Sequence, residues 1–522
     1  MKKTMEKELI PKKPIDVLKM GYMYILRNPK VIIPFMIYEA GFIIGQAVFI
    51  ISFLTLLSYF KAFNLIPKIV EELSKENYEY LLNPEILHPV IVTLFITASA
   101  YVIVILVFDS FVKAGLFPYL RKILVEGGGD LKTFLGYAFY RWRLVLKTNI
   151  LVYLIIISPL LPSITIFYFS ISKIIPTLGM GNKISDLMLG ISAIAFIVGI
   201  IIAFILYLLL VFAPIAAAID ADSPIFNVYK SIRIAKREIG SVILYLCVLT
   251  LIAIASLAIE GIVKVFYVTI TSLFALIVSL AVTPIINMFL VAVYEHHFNE
   301  RFVAIKARSI RLSDIIKLVK VIGGIHRYLK KFVLTTDGLM ALILTIVLFV
   351  SGFILGLVTI SPDIRDIIIN SGIIVPGKMN PEFKIYNRIF LGLDIFFHNW
   401  RTSLATAMAG IAYSVPSAIA TLFNGYVIGV VYATVANPIK ASAIIIPHGI
   451  LEIPAFLIAS AAGLRLGHVV FKYIKGKISL DIFEEEITNT AILVAGLAIL
   501  FFIAGVIEGN ITPIIAESLG WT

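Results

Sequence analysis

The chain has 522 residues, 60% of them hydrophobic and only 15% charged, with a mean hydropathy of +1.01. A soluble domain carries about 45–50% apolar and about 25% charged residues. A soluble core of this size could not enclose the excess, which excludes a soluble enzyme with a single anchor. The net charge of +12 comes from 44 Lys+Arg against 32 Asp+Glu. The basic residues sit in loops between apolar runs, and no aromatic-basic nucleic-acid module is visible. That pattern points to positive-inside topology and contact with anionic lipid headgroups, and away from nucleic acid.

In chain order, the first 30 residues hold eight Lys+Arg and three acids. The apolar run that follows is too long for a cleavable signal peptide, so this basic start is expected to stay in the cytoplasm. A bilayer needs about 20 apolar residues per helix. Val31–Phe60, Pro89–Phe108, Ile150–Ser170, Leu187–Ile219, Ser241–Ile259 and Val268–Tyr294 meet that need as six spans. Loop Lys61–His88 has three basic and five acidic residues, whereas Pro118–Asn149 has six and two. Asp220–Gly240 has four and three, and Glu295–Gly338 nine and four. The basic loops are the cytoplasmic ones in this order. Glu295–Gly338 is the best domain boundary, and its Leu312–Phe332 stretch has amphipathic character suited either to the membrane surface or to a solvated linker.

Beyond the boundary, Leu339–Ile360 is a seventh span and Ser361–Arg388 a polar outer loop. Ile389–Trp400 reads as a short amphipathic helix. Thr402–Ile439 carries no charge for 38 residues, enough for two short spans near Arg401–Pro416 and Ser417–Ala436, or for a re-entrant pair. Pro447–Gly467 and Thr490–Glu508 complete the set. The expected fold is an all-α integral membrane protein with about eleven transmembrane helices in two helical bundles. Residues 1–300 form a six-helix domain, 301–338 basic cytoplasmic linker helices, and 339–522 a second membrane domain. The C-terminus is expected outside.

The packing code differs between the halves. GxxxG occurs at Gly41/Gly45, Gly352/Gly356, Gly425/Gly429, Gly463/Gly467 and Gly505/Gly509. Small residues four apart let helix backbones approach closely. Their concentration in the last third suggests a compact bundle, with a homodimer through one such face as the lesser reading. The single cysteine, Cys247, excludes an intrachain disulfide and a cysteine zinc site. With only one glutamine, Gln46, beside abundant Ile and Lys, the composition suggests a thermophilic source.

The clearest polar cluster is Pro447-His448-Gly449-Ile450-Leu451-Glu452. Proline favours the first position of a helix, and His448 and Glu452 four apart then share a face. An ionised carboxylate inside an apolar run costs on the order of 2.5–3.5 kcal/mol on insertion scales. His448 and the positive helix end are the candidates to offset it. The pair reads as a proton relay, half of a metal site, or a hydrogen bond bracing the helix entry. Glu508 is a second intramembrane carboxylate, and His398 and Asn399 beside Asp394 form a third polar group. In the expected topology all of these lie towards the outer side. Asn424-Gly425 is read as helical, with Gly425 and Gly429 on the packing face. In the first half Glu39, Gln46 and Asp109 are the intramembrane polar residues, with Lys113 near Asp109. No P-loop, nucleophile elbow, HExxH motif or cofactor-binding motif is present, so no cofactor, metal site or catalytic residue is read from motifs.

Residues 339–521 resemble the stage II sporulation protein M family. The resemblance rests on Ser351–Gly356, His398-Asn399, Asn424-Gly425 with Gly429, Pro447-His448-Gly449 with Glu452, Ala462-Gly463-Leu464 with Gly467, and Glu508. It implies a bundle of about five spans and a scaffold role. In sporulating bacteria the family member is a membrane component of a complex with peptidoglycan-degrading partners during engulfment. Residues 1–300 more weakly resemble the membrane domain of some glycerophosphoryl diester phosphodiesterases. The similar stretches are Asp16–Pro34, with Arg27-Asn28-Pro29, and Asp222–Gly240, with Ser231. No phosphodiesterase catalytic domain accompanies them. Three functions remain: a non-enzymatic scaffold in a membrane complex, a transporter or lipid-handling protein with a polar intramembrane site, and an intramembrane metal-dependent enzyme using His448, Glu452, Glu508 and His398.

Overall fold

In the computed structural model, residues 31–63, 65–74, 83–162, 164–166, 183–266, 271–297, 325–360, 385–435 and 437–519 are described, with residues 16, 77, 80, 81 and 365. Among these the chain is helical apart from short connections. The helices are α1 Ile32–Ala62, α2 Leu65–Ser74, α3 Pro84–Glu126, α4 Leu131–Ile157, α5 Lys183–Leu210, α6 Ala213–Ile219, α7 Pro224–Arg237, α8 Ile239–Phe266 and α9 Thr271–His297. They continue as α10 Ile325–Val333, α11 Thr336–Thr359, α12 Ile385–Met408, α13 Val415–Val435, α14 Pro438–Ile474 and α15 Leu480–Ser518. Among the described residues nine helices are long and apolar enough to cross a membrane, or ten if α4 and the bent segment after it count as one span. Most of the outer loop read at Ser361–Arg388, and most of the linker before α10, lie outside the described residues.

One expectation changes at the start of the uncharged stretch. Ile389–Trp400 and the span near Arg401–Pro416 are one continuous helix, α12, which ends in a 3-10 turn at Ala409–Ile411. Arg388, Asp394 and Arg401 dilute its hydropathy, and that splits it when it is read by composition. The chain then reverses through Tyr413 and Ser414, whose φ angles of 58° and 66° are left-handed. Such angles are uncommon for residues with a Cβ.

Packing does not follow chain order. One unit comprises 1–29, 106–250 and 285–307, the other 30–105, 251–284 and 308–522. The first unit buries Tyr119, Phe134, Phe212 and Tyr294. Several of its polar groups are satisfied internally. Asn149 donates to the Ser110 hydroxyl at 2.8 Å, and Arg141 donates to the carbonyls of Ala218 and Ile219 at the end of α6. Ser231 accepts the Phe212 N–H and donates to the Leu209 carbonyl, which bridges the break between α5 and α6. Asp109 pairs with Lys113 at 2.8 Å, one helical turn away.

The second unit is seamed by glycine. A Cβ on Gly352 or Gly356 would overlap the carbonyls of Leu422 and Tyr426, and one on Gly425 or Gly429 those of Phe349 and Phe353. Helices α11 and α13 therefore meet backbone to backbone. Gly505 and Gly509 of α15 meet Gly392 of α12 in the same way, with the Gly392 carbonyl 2.6 Å from a Cβ built on Gly505. Gly463 and Gly467 of α14 receive Thr406, Gly410 and Ser414. Each of these four GxxxG faces is filled within the chain and is not free to seat a second copy. Gly449 differs, since the nearest atoms to a Cβ there are side-chain atoms of its own helix's Ile445 and Ile453, at 3.3 Å.

A buried ion pair ties α1 to α12. Glu39, 5% exposed, accepts from Arg401 Nε at 2.7 Å and from the Ser279 hydroxyl. Arg401 also lies over the Phe42 ring, 5.2 Å from its centroid. Glu39 thus finds its partner 362 positions away in the chain. Gln46 is exposed on α1.

Two outcomes follow for the purified protein in detergent. Gly425→Leu should destabilise it by about 1–3 kcal/mol or more through overpacking, while Gly449→Ala stays within about 1 kcal/mol. Paired thermal melts check the difference. Arg401→Ala should cost about 3–5 kcal/mol by stranding the Glu39 carboxylate, and the double change Glu39→Leu/Arg401→Leu should recover most of that loss in the same melts.

Candidate functional site

Helix α14 begins at Asn437, whose side chain accepts the N–H groups of Ile439 and Lys440 at 3.1 Å, with Pro438 in the first turn. This Asn-Pro start corrects the expectation that Pro447 opens the helix. Pro447 and Pro454 are both interior, so the positive helix end does not offset Glu452. An interior proline supplies no N–H to the carbonyl four residues back, which loosens the helix at Ala443 and Ile450. The capping signal lies in Asn437-Pro438; the apolar run masks it.

Helix α15 extends well beyond Thr490–Glu508 at both ends. Glu508 is therefore an interior residue, not one at a helix end. Helices α14 and α15 form an antiparallel hairpin closed by residues 475–479. His448 and Glu452 are one turn apart on α14, and Glu508 and Thr512 one turn apart on α15. The hairpin sets these two pairs against each other. One ligand atom each from His448, Glu452 and Glu508 lies within 4.8 Å of the other two. His448 Nδ1 is 3.3 Å from the Thr512 hydroxyl. The Glu452 carboxylate accepts a hydrogen bond from Asn399 of α12. Its Oε2 is enclosed and has no hydrogen-bond partner among the described residues.

Beside this cluster is a cavity of about 80 Å3. Its polar wall is His398, Asn399, Thr402 and Ser403 from α12, Asn424 from α13 and Glu452 from α14, and its apolar wall includes Phe349, Phe456 and Phe501. That volume holds several waters by the criterion of about 10–15 Å3 each. Ser403 is 1% exposed, and its hydroxyl has no partner among the described residues. Asn424 is helical, as read, and spends its amide N–H on the Ala420 carbonyl at 2.8 Å.

The structure thus brings His448, Glu452 and Glu508 together, and joins His398, Asn399 and Asn424 to Glu452 through the cavity. Asp394 is not part of the group: its carboxylate accepts the Ser272 backbone N–H at 2.9 Å. Gly425, Gly429, Gly463 and Gly467 position the helices, and Gly449 and Pro447 lie on the turn that carries His448. Thr512, Thr402 and Ser403 were not read from the sequence. Helical spacing could have found all three, since Thr512 follows Glu508, Thr402 follows His398 and Ser403 follows Asn399, each by four.

The model of the family described as stage II sporulation protein M matches residues 345–513. An uncharacterized protein of Methanocaldococcus jannaschii is 32% identical over 189 residues, covering 34% of this chain and 97% of that protein. The chain belongs to the stage II sporulation protein M family. The family segment runs from within α11 to within α15 and contains every polar residue of the site. About a third of the chain accounts for nearly the whole of that relative, which comes from a thermophile. No solved structure matches the chain.

In this family segment the site's first test is geometric. Asn399→Ala should leave Glu452 without its hydrogen bond and lower stability by about 1–3 kcal/mol. Asn424→Ala, whose amide serves only its own helix here, should change the melting temperature less in parallel melts.

Proposed function

We propose that this membrane protein of the stage II sporulation protein M family acts on a polar or charged ligand at the Glu452 site, as a transporter or lipid-handling component. The observation that carries this reading is the enclosed, unpartnered oxygen of Glu452 beside a polar cavity, with a second carboxylate, Glu508, within reach. Ionisable residues inside membrane helices are expensive and mark ligand or ion pathways. The absence of any recognised catalytic motif in the sequence favours a non-enzymatic role. The scaffold reading draws its support from the family resemblance, and the same experiment weighs it.

The test is reconstitution into liposomes that carry a fluorescent headgroup-labelled lipid and an internal pH dye. The wild type should accelerate lipid exchange between leaflets or ion-coupled pH change over empty vesicles, and Glu452→Gln should lower that rate at least about tenfold, the order seen when a site group is removed. Wild-type vesicles that match empty ones in both assays would sink this reading. A stoichiometric protein partner recovered from the native membrane would then support the scaffold.

For topology, we infer a cytoplasmic N-terminus from the basic loops, anionic lipid at those loops, and eleven crossings with α12 as one of them. A reporter fused after Thr522 should then respond as an external one; a cytoplasmic response would remove α12 or another crossing from the set.

A further inference from the structure

We propose that His448, Glu452 and Glu508 hold one divalent transition-metal ion, with an open coordination position beside the cavity. This rests on the reading that the site is functional, and not on what the protein moves. Two carboxylates face each other inside apolar helices, and no Lys or Arg among the described residues pairs with either. Elsewhere in the same unit a buried carboxylate has its cation, as Glu39 has Arg401. A divalent ion balances both charges at once.

The donor set names the class of ion. One imidazole and two carboxylates suit zinc, manganese or iron; magnesium and calcium prefer all-oxygen sites. Two donors one turn apart on a helix, with a third from the neighbouring helix, form a three-ligand site of the open kind. A tetrahedral ion with ligands at about 2.0–2.1 Å holds its donor atoms about 3.3 Å apart. Side-chain rotations would bring atoms now within 4.8 Å to that spacing.

The surrounding residues match what metal sites require. Ligating histidines direct their other ring nitrogen to a hydrogen-bond partner, and ligating carboxylates are themselves hydrogen-bonded. Thr512 meets His448 Nδ1, which assigns Nε2 to the ion, and Asn399 holds one side of Glu452. The unpartnered Glu452 Oε2 is an available donor. An independent pointer is Ser403, 1% exposed with an unpartnered hydroxyl on the cavity wall. That hydroxyl is available to a water or ligand inside the cavity that Glu452 also lines. His398 lines the cavity but does not join the three-residue group, which narrows the four-residue set suggested by the sequence.

The test uses the full chain in detergent, stripped with a chelator, then equilibrated with Zn2+ and passed through a desalting column. Elemental analysis should find about one zinc per chain in the wild type, and less than about a tenth of that in His448→Ala and Glu508→Gln, since a three-ligand site does not survive loss of one donor. Co2+ in place of zinc should give visible d–d absorption that these variants lack. Glu452→His, which keeps a donor, should retain cobalt absorption at a shifted wavelength. Melts and elution profiles report folding. If the variants do not fold, the wild type decides alone: no zinc retained and no cobalt band overturns the proposal, while stoichiometric zinc with the band supports it. Metal without vesicle activity would leave this inference standing and remove the transport reading. Activity in a metal-free protein would do the reverse.

Discussion

Backbone-to-backbone contact between helices is what the C-terminal bundle depends on. Lipid chains are as apolar as leucine, so apolar burial cannot drive transmembrane helices together as it does in water. Close packing must supply the attraction, and the glycines of α11, α12, α13, α14 and α15 allow it. Gly352 and Gly356 against Gly425 and Gly429 leave no room for a single Cβ. Gly392 against Gly505 and Gly509 repeats the arrangement on the other side. With these helices in fixed register, residues far apart in the chain are held at one depth, and a polar group can persist there.

The polar groups obey a second constraint. In a medium without water each must find a partner inside the protein. Most do: Arg401 meets Glu39, Asp394 meets a backbone N–H, and Asn424 folds back on its own helix. Some do not: Asn227 and Ser460 each keep a buried oxygen without a partner among the described residues, and so do Glu452 and Ser403. The last two share one cavity wall, with a second carboxylate and an imidazole close to Glu452, and that combination reads as a place that receives something.

Much of this was legible in the sequence, for identifiable reasons. Strong hydropathy located the spans, and spacing of four placed His448 with Glu452 and paired the glycines. Helix ends were less legible, because α14 and α15 carry polar first and last turns that hydropathy discounts. The true start of α14 lay in the Asn437-Pro438 cap, outside the apolar run. The Glu39–Arg401 pair could not be read, since nothing local links positions 362 apart. The composition of α12, with three charged residues along it, hid one helix as two.

The tight reversal between α12 and α13 bears on how the site could change shape. Ser414 is fastened to α14 by its hydrogen bond to the Leu464 carbonyl at 2.8 Å and by its seat against Gly467. Three helices are thus clamped at one point, while His398, Asn399, Asn424 and Glu452 lie about ten residues, or roughly 15 Å, along them. The same walls are held on the far side of the site too, α12 by Gly392 against Gly505 and α13 by Gly425 against Phe349. These two helices are struts fixed at both ends, so the side chains that line the cavity have more freedom than the backbones that carry them.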